Sequence, residues 1–153
     1  MKTPNTESET TSVVVFAVTR NGEILAVRKF PTAANETIVK LPGGDSQGGE
    51  IWENSARKKL LEETGYVPDA LTPLGKAIWL NSASNPASLM PFLALECRKV
   101  EEPKQETRGI LELVVVPIAH WIKMIHDGEV RDASTIAVTF LAVRHLGLNL
   151  YKM

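Results

Sequence analysis

Residues 41–66 read LPGGDSQGGEIWENSARKKLLEETGY, and the other segments of the chain form a scaffold around them. The stretch opens with a Pro-Gly-Gly loop, takes up helical periodicity near Glu50 and ends at Gly65. A glycine is typical of the position just after a helix, and Pro68 follows where a helix does not continue. We therefore predict a glycine-rich loop that leads into a single helix.

The predicted helix has one charged face and one apolar stripe. At about 100° per residue, the charged face contains four residues: Ser55, Lys59, Glu62 and Glu63. The adjoining stripe that would anchor the helix on a core contains three residues: Trp52, Ala56 and Leu60. The glutamate pair therefore lies on an accessible face, next to the glycine-rich loop.

The glutamate pair has two interpretations. Two carboxylates beside a glycine-rich loop can hold a divalent cation that bridges to substrate phosphates. Alternatively, the face is a solvated surface with two i,i+4 pairs, Lys58–Glu62 and Lys59–Glu63, each contributing about 0.2–0.5 kcal/mol. Adjacent carboxylates in a last helical turn oppose the helix dipole, so local stability explains the pair poorly. Both interpretations stay open on the residues alone.

Composition indicates one soluble domain. The chain has 153 residues, 44% hydrophobic and 23% charged, with a net charge of −1. This balance gives no reason to expect a nucleic acid or membrane partner. Cys97 is the single cysteine, so no intrachain disulfide can form and a cytoplasmic location is expected. We predict a disordered N-terminal tail at residues 1–11 and one domain at residues 12–153.

Hydrophobic patterns predict an α+β fold with a mixed β-sheet. Asn21-Gly22 is a strong hairpin signal between the first two predicted strands. Strands are predicted at residues 12–19, 23–30, 37–41, 74–80, 91–99 and 111–117. Two C-terminal helices are predicted at residues 118–126 and 133–146, the second with Ile136, Phe140 and Val143 as its core stripe. Hairpins and crossovers alternate along this order, which favours a mixed sheet in a sandwich.

The central stretch resembles the box of the Nudix hydrolase superfamily. That box reads Gly, five residues, Glu, seven residues, then Arg-Glu-apolar-any-Glu-Glu-any-Gly-apolar. Seven of its nine specified positions match, and Lys58 and Lys59 are the two mismatches. The nine residues are Gly44, Glu50, Lys58, Lys59, Leu60, Glu62, Glu63, Gly65 and Tyr66. The resemblance covers nearly the whole chain and implies the Nudix fold, a mixed sheet flanked by helices in an α/β/α sandwich.

The resemblance also implies an activity and a ligand class. Nudix proteins hydrolyse nucleoside diphosphates linked to another moiety, usually with magnesium or manganese. The pieces VRKF, LGKAIWL and WIKMIHDGEVRDASTIAVTFL are most similar to ADP-ribose and nucleoside-diphosphate-sugar pyrophosphatases. A small-molecule nucleotide is therefore the expected ligand, and a homodimer is kept open because such relatives are often dimers.

Residue roles follow from the same resemblance. Glu62 and Glu63 would hold the metal ion together with the Gly43 carbonyl. Glu106, in the loop after the fifth predicted strand, would orient or deprotonate the attacking water as the catalytic residue. Three residues would contact the substrate: Arg28, Lys40 and Lys59. Four residues would have structural roles in the box: Gly44, Glu50, Lys58 and Gly65.

The two mismatched positions put metal binding in doubt. Lys59 replaces a glutamate that is a principal metal ligand of the family, and Lys58 replaces an arginine that usually pairs with Glu50. At about 4 Å and an effective dielectric of about 20, each charge–charge interaction is about 4 kcal/mol before screening. Lysine in place of glutamate therefore works against a divalent cation, and we expect Mg²⁺ or Mn²⁺ to bind weakly or not at all.

Three further replacements around the expected pocket also remove negative charge. Gln47, Arg108 and Lys40 stand where relatives carry acids. Two functions therefore stay open: a hydrolase with impaired or altered metal use, and a non-hydrolytic nucleotide-binding module. In the second, Lys59, Lys40 and Arg108 would neutralise the phosphates. A structural descendant that binds no phosphorylated ligand is a third alternative.

Aromatic, histidine and cysteine residues elsewhere give weaker signals. Trp79 and Phe92 would suit stacking on a base, although aromatics in strands more often pack in cores. The three histidines lie on the C-terminal helices at no ligand spacing and are expected to have structural or surface roles: His120, His126 and His145. Cys97 has no catalytic partner in the sequence and is expected to be buried.

Overall fold

The computed structural model of the chain describes residues 11–30, 33, 35–46, 48–104 and 110–152. Its strands are β1 (Thr11–Thr19), β2 (Glu23–Phe30), β3 (Ile38–Lys40), β4 (Gly43–Asp45), β5 (Tyr66–Val67), β6 (Ala70–Pro73), β7 (Ile78–Trp79), β8 (Ser88–Lys99) and β9 (Ile110–Pro117). Its helices are α1 (Trp52–Thr64), α2 (Ile118–His126) and α3 (Ala133–Leu146), followed by a short 3-10 turn at Leu150–Lys152. None of the helices in these ranges has the length and apolar character needed to cross a membrane.

Strand β1 is the centre of a mixed sheet. It pairs in parallel with β8, from Thr11 opposite Ser88 onward. Its other edge pairs antiparallel with β4 at its start and with β2 near its end. Strand β9 lies antiparallel along the whole of β2, while β5, β6 and β7 pair with β8. The predicted mixed sheet is confirmed.

Helices cover both faces of this sheet. Successive residues of a strand point to opposite faces, and the core divides accordingly. Val13 and Val15 of β1 pack with the α1 side of the core, whereas Val14 and Phe16 pack with the α2 and α3 side. The predicted α/β/α sandwich is therefore confirmed, with α1 on one face and α2 and α3 on the other.

Helix α1 matches the prediction in position and orientation. Ala56 and Leu60 are fully buried, and Trp52 packs against the same cluster, so the predicted apolar stripe is confirmed. The helix ends at Gly65, which has a φ of 79° and donates its backbone N–H to the carbonyl of Leu61. This left-handed conformation is the one that glycine adopts without a steric penalty.

The predicted core stripe of α3 is wrong for two of its residues. Ile136 and Phe140 are 38% and 58% exposed. The face that meets the sheet is formed instead by four other buried residues: Thr135, Val138, Thr139 and Ala142. Thr139 Oγ1 accepts a hydrogen bond from Trp121 Nε1 at 3.1 Å, which makes its burial favourable. Hydrophobic periodicity does not identify a buried threonine, because it counts threonine as a polar residue.

Two predicted segments also differ in the structure. Gly43–Asp45 was expected in a loop but forms β4, because β1 supplies its hydrogen-bonding partner. The predicted strand at residues 74–80 shortens to Ile78–Trp79, and Ala70–Pro73 pairs with β8 instead. Glycine-rich and very short strands depend on their neighbours rather than on their own propensity, so local patterns missed them.

We predict that Gly65→Ala is much more destabilising than Gly147→Ala. Both glycines follow helices with positive φ values, 79° and 70°. A Cβ on Gly65 would lie 1.9 Å from the carbonyl oxygen of Glu101, whereas a Cβ on Gly147 meets no atom within 4 Å. Gly147→Ala should therefore lower the free energy of unfolding by only about 1–2 kcal/mol, the cost of an alanine in the left-handed conformation.

For Gly65→Ala we expect a loss of about 3 kcal/mol or more, because the backbone near Glu101 must also move. Urea unfolding followed by circular dichroism measures both variants. Equal losses for the two variants would show that the contact with Glu101 does not constrain this helix end.

Candidate active site

Gly43 connects the glycine-rich segment to the last turn of α1. Its backbone N–H donates a 2.9 Å hydrogen bond to Oε1 of Glu63, and Glu63 is only 5% exposed at its side chain. A Cβ on Gly43 would lie 2.2 Å from the carbonyl oxygen of Val13 in β1, so no other residue fits this close approach. The fold therefore holds one carboxylate of the glutamate pair in place.

Lys29 of β2 forms an ion pair with the other oxygen of the same carboxylate. Its Nζ lies 3.1 Å from Glu63 Oε2, and the side chain of Lys29 is 23% exposed. Charge-assisted contacts of this kind are stronger than neutral hydrogen bonds. Both oxygens of Glu63 are therefore engaged by donors that belong to the protein.

Sequence reasoning missed Lys29 and selected its neighbour, Arg28. Leu25 packs with the α1 side of the core, and Lys29 is four residues further along the same face of β2. Arg28 lies on the opposite face, where its Nε is 3.7 Å from Glu112 Oε2 and has no hydrogen-bond partner among the residues that the structure describes. Strand alternation would have identified Lys29, had β2 been placed beneath α1.

Lys59 packs across the open side of Gly44. A Cβ on Gly44 would lie 3.1 Å from Cε, 3.3 Å from Cδ and 3.4 Å from Nζ of Lys59. Gly44 faces α1 because it pairs with Val13, which belongs to the core on that side. Within the described ranges, Lys59 has no ion pair or hydrogen bond through its side chain. The absence of a side chain at Gly44 thus gives this lysine its path to the loop.

Glu50 has a different partner from the one expected. Its carboxylate accepts a hydrogen bond from Ser55 Oγ, which also lies 2.7 Å from Ser46 Oγ. Lys58 is exposed, and no ion pair between Lys58 and Glu50 is found in this part of the structure. The expected pairing is replaced by a hydroxyl relay that holds the start of α1 against the loop.

The described residues do not by themselves form a site for a divalent cation. Within the described residues, no three histidine, cysteine, aspartate or glutamate side chains converge on one point. Glu63 is already compensated by Lys29, and Lys59 adds a second ammonium beside the loop. Magnesium requires several oxygen ligands in near-octahedral geometry. The ligand role of Gly43, Glu62 and Glu63 therefore stays a prediction that these residues alone do not complete.

Three residues of the sequence-based site lie outside the described ranges: Gln47, Glu106 and Arg108. The catalytic role of Glu106 consequently stays a prediction. Glu62 is described and partly exposed, and its backbone carbonyl accepts the N–H of Lys104 at 2.8 Å. That hydrogen bond attaches the segment after β8 to the last turn of α1.

A small cleft lies beside the glycine-rich segment. It has a volume of about 170 Å³, and the residues lining it include Lys40, Gly43, Gly44, Asp132 and Ser134. Pockets for whole drug-sized ligands measure about 300–1,000 Å³, so this cleft has room for only part of a nucleotide. Lys40 lines this cleft, and its contact with the substrate stays a prediction. Arg28 is not among the lining residues.

Thr135 fixes the wall of this cleft. Its Oγ1 accepts the backbone N–H of Leu41 at 3.0 Å and donates to Asp132 Oδ2 at 2.8 Å. Asp132 Oδ2 also accepts the backbone N–H of Thr135, which caps the start of α3. The beginning of α3 is therefore tied directly to the residues that lead into Gly43.

The remaining candidates divide between surface and core. Trp79 is 62% exposed, whereas Phe92 is fully buried and unable to stack on a ligand. The three histidines are exposed, as expected: His120, His126 and His145. Cys97 is buried, also as expected, and burial raises the pKa of its thiol from the ordinary 9.0 to about 12.

A model of the NUDIX domain family matches residues 9–137 of this chain. The chain belongs to the NUDIX family. It is 32% identical over 135 residues to the ADP-ribose pyrophosphatase of Bacillus subtilis, covering 87% of this chain and 72% of that protein. It is 30% identical over 138 residues to the GDP-mannose pyrophosphatase of Yersinia enterocolitica, covering 82% and 69%.

A relative of another description is also similar to this Nudix chain. The methanol dehydrogenase activator of Bacillus methanolicus is 25% identical over 143 residues, covering 90% of this chain and 72% of that protein. Among solved structures, one described as an ADP compounds hydrolase superposes with a TM-score of 0.79 at 19% identity, covering 90% and 73%. A NUDIX hydrolase from Nitrosomonas europaea gives 0.68 at 17% identity, covering 95% of both chains. These structures confirm the Nudix fold.

We predict that Lys29→Met and Glu63→Gln each destabilise this Nudix domain by about 1–3 kcal/mol, because each removes one member of the ion pair that joins β2 to α1. The double variant should lose less than the sum, with a coupling of about 0.5–3 kcal/mol. Urea unfolding measures the cycle, and the exposed Lys76→Met is the control. Strictly additive losses would mean that the 3.1 Å contact contributes nothing to folding.

We also predict that Cys97 is inert in the folded protein. Because its pKa is raised to about 12, the thiolate forms only as the pH approaches that value, and the thiol stays protonated near neutral pH. Reaction with a disulfide reagent at about pH 8 should be far slower in buffer than in denaturant. Equal rates in the two solutions would show that the thiol is accessible in the native state.

Proposed function

We propose that this Nudix protein hydrolyses the pyrophosphate of a nucleoside diphosphate linked to another moiety, of the ADP-ribose or nucleotide-sugar type. Family membership supports the proposal, as do the activities for which the two pyrophosphatase relatives are named. The observation that carries it is the 2.9 Å contact between Gly43 and Glu63, through which the loop and helix of the box meet in space.

In the proposed reaction, water adds to one phosphorus atom and the bond to the bridging oxygen breaks. The products are a nucleoside monophosphate and the phosphorylated second moiety. Glu106 is proposed to orient the water and accept its proton. Lys59 and Lys40 are proposed to neutralise phosphate oxygens, because Lys59 packs over Gly44 and Lys40 lines the adjoining cleft.

We propose that Mg²⁺ or Mn²⁺ binds to this site only weakly. The site contains two ammonium groups, one at Glu63 and one beside Gly44, and one of its carboxylates is already paired. No step of the proposed reaction is assigned to a metal ion. The ligand is proposed to be a small molecule, in keeping with the net charge of −1, and a cytoplasmic location and a homodimer belong to the same proposal.

Turnover of ADP-ribose and nucleotide sugars should identify the substrate, and Glu106→Gln should lower kcat about 10²–10⁴-fold, as expected for loss of a general base. Phosphorus NMR with each candidate substrate, with and without Mn²⁺, measures the products. Glu129→Gln is the control, since Glu129 is exposed and lies beyond α2. Activity of Glu106→Gln within twofold of the wild type would remove the catalytic role of Glu106.

A second candidate function is a non-hydrolytic nucleotide-binding module. The specific observation in its favour is the ion pair of Lys29 with Glu63, which compensates a carboxylate that a metal-dependent hydrolase needs free. In this case ADP-ribose or a nucleotide sugar would bind without any phosphorus-containing product appearing. The same NMR experiment, combined with calorimetry, separates the two functions.

A further inference from the structure

The pair formed by Lys29 and Glu63 has a geometry that the proposed hydrolysis does not explain. Lys29 comes from the sheet and Glu63 from α1, and the contact lies where the two layers meet. Glu63 receives a backbone N–H on one oxygen and an ammonium on the other. A divalent cation at this carboxylate would lie beside the Lys29 ammonium, which would repel it.

Lys59 differs from Lys29 in having no partner within the described part of the chain. It lies on the same helix as Glu63, one turn earlier, and its ammonium end reaches the open side of Gly44. A partly buried ammonium without a carboxylate next to it attracts an anion. The space left by the missing side chain of Gly44 is taken by Lys59 itself, which places the ammonium against the glycine-rich segment.

We propose that Lys29 and Lys59 together take the place of the divalent cation in this chain. Lys29 neutralises Glu63, and Lys59 presents its positive charge to the pyrophosphate of the ligand. The pyrophosphate then binds without a metal ion. The inference rests on the proposed function for the identity of the pyrophosphate-containing ligand. The two lysines and their contacts do not depend on that identity.

Because the two lysines have different roles, their substitutions should have different effects on metal affinity. Lys59→Glu alone places a carboxylate at the position of the family's ligand, but Glu63 is still compensated by Lys29. Lys29→Gln alone frees one oxygen of Glu63, but Lys59 still repels a cation. Only the double variant removes both obstacles, so its gain in metal affinity should exceed the product of the two single gains.

Electron paramagnetic resonance of Mn²⁺ titrated into the free protein tests this directly. We expect a dissociation constant above about 1 mM for the wild type, gains of about threefold or less for each single variant, and at least about thirtyfold for Lys29→Gln/Lys59→Glu. Arg57→Glu is the matched control, because it reverses an exposed charge on the same helix. Tight Mn²⁺ binding by the wild type, or equal affinities of Lys59→Glu and the double variant, would overturn the proposal.

A second measurement uses the wild-type protein, so it does not depend on the variants folding. Calorimetry with ADP-ribose and with inorganic pyrophosphate should give dissociation constants that agree within about twofold in EDTA and in Mn²⁺. Lys59→Met should weaken binding of both compounds about tenfold or more, as expected for loss of a charge-assisted contact. A tenfold loss of wild-type affinity in EDTA would overturn metal-free binding.

The two probes also separate this inference from the proposed function. Binding of pyrophosphate without binding of ADP-ribose or a nucleotide sugar would support the lysine site and remove the proposed ligand class. Binding of neither compound in EDTA would overturn the lysine site. Hydrolysis that requires Mn²⁺ at micromolar concentration would retain the proposed activity and overturn the inference.

Discussion

The carboxylate of Glu63 is the point on which the local structure depends. It accepts the backbone N–H of Gly43 and the ammonium of Lys29, so it joins the box helix, the glycine-rich strand and β2. Only glycine fits at residue 43, because of its approach to Val13. The loop, helix and sheet are therefore fixed relative to one another by one buried, fully compensated charge.

This arrangement changes the electrostatic character of a familiar architecture. In a metal-dependent box, carboxylates concentrate negative charge and a bound cation balances it. Here the negative charge of Glu63 is balanced from within the chain by the side chain of Lys29, which is part of the protein. Lys59 adds a further positive charge beside Gly44. The fold is shared with the Nudix relatives, while the charge pattern at its centre is not the one their motif describes.

Much of the fold was predictable from the spacing of a few residues. Gly44, Glu50 and Gly65 identified the loop and helix, and α2 and α3 were predicted with the bounds that the structure shows. Strand β4 was missed because its pairing with β1 supplies the order that its glycines lack. Lys29 was missed because its role depends on which sheet face α1 covers, and the buried face of α3 was missed because two of its members are threonines. In each case a partner distant in sequence decides the outcome.

The most direct measurement is a crystal structure of the protein with ADP-ribose and Mn²⁺, recorded with anomalous diffraction. We expect Lys59 Nζ within hydrogen-bonding distance of a pyrophosphate oxygen, Lys29 still paired with Glu63, and no anomalous peak beside Glu62 or Glu63. A manganese ion coordinated by those two glutamates, with Lys29 displaced from Glu63, would contradict the central claim that lysine side chains replace the metal in this Nudix protein.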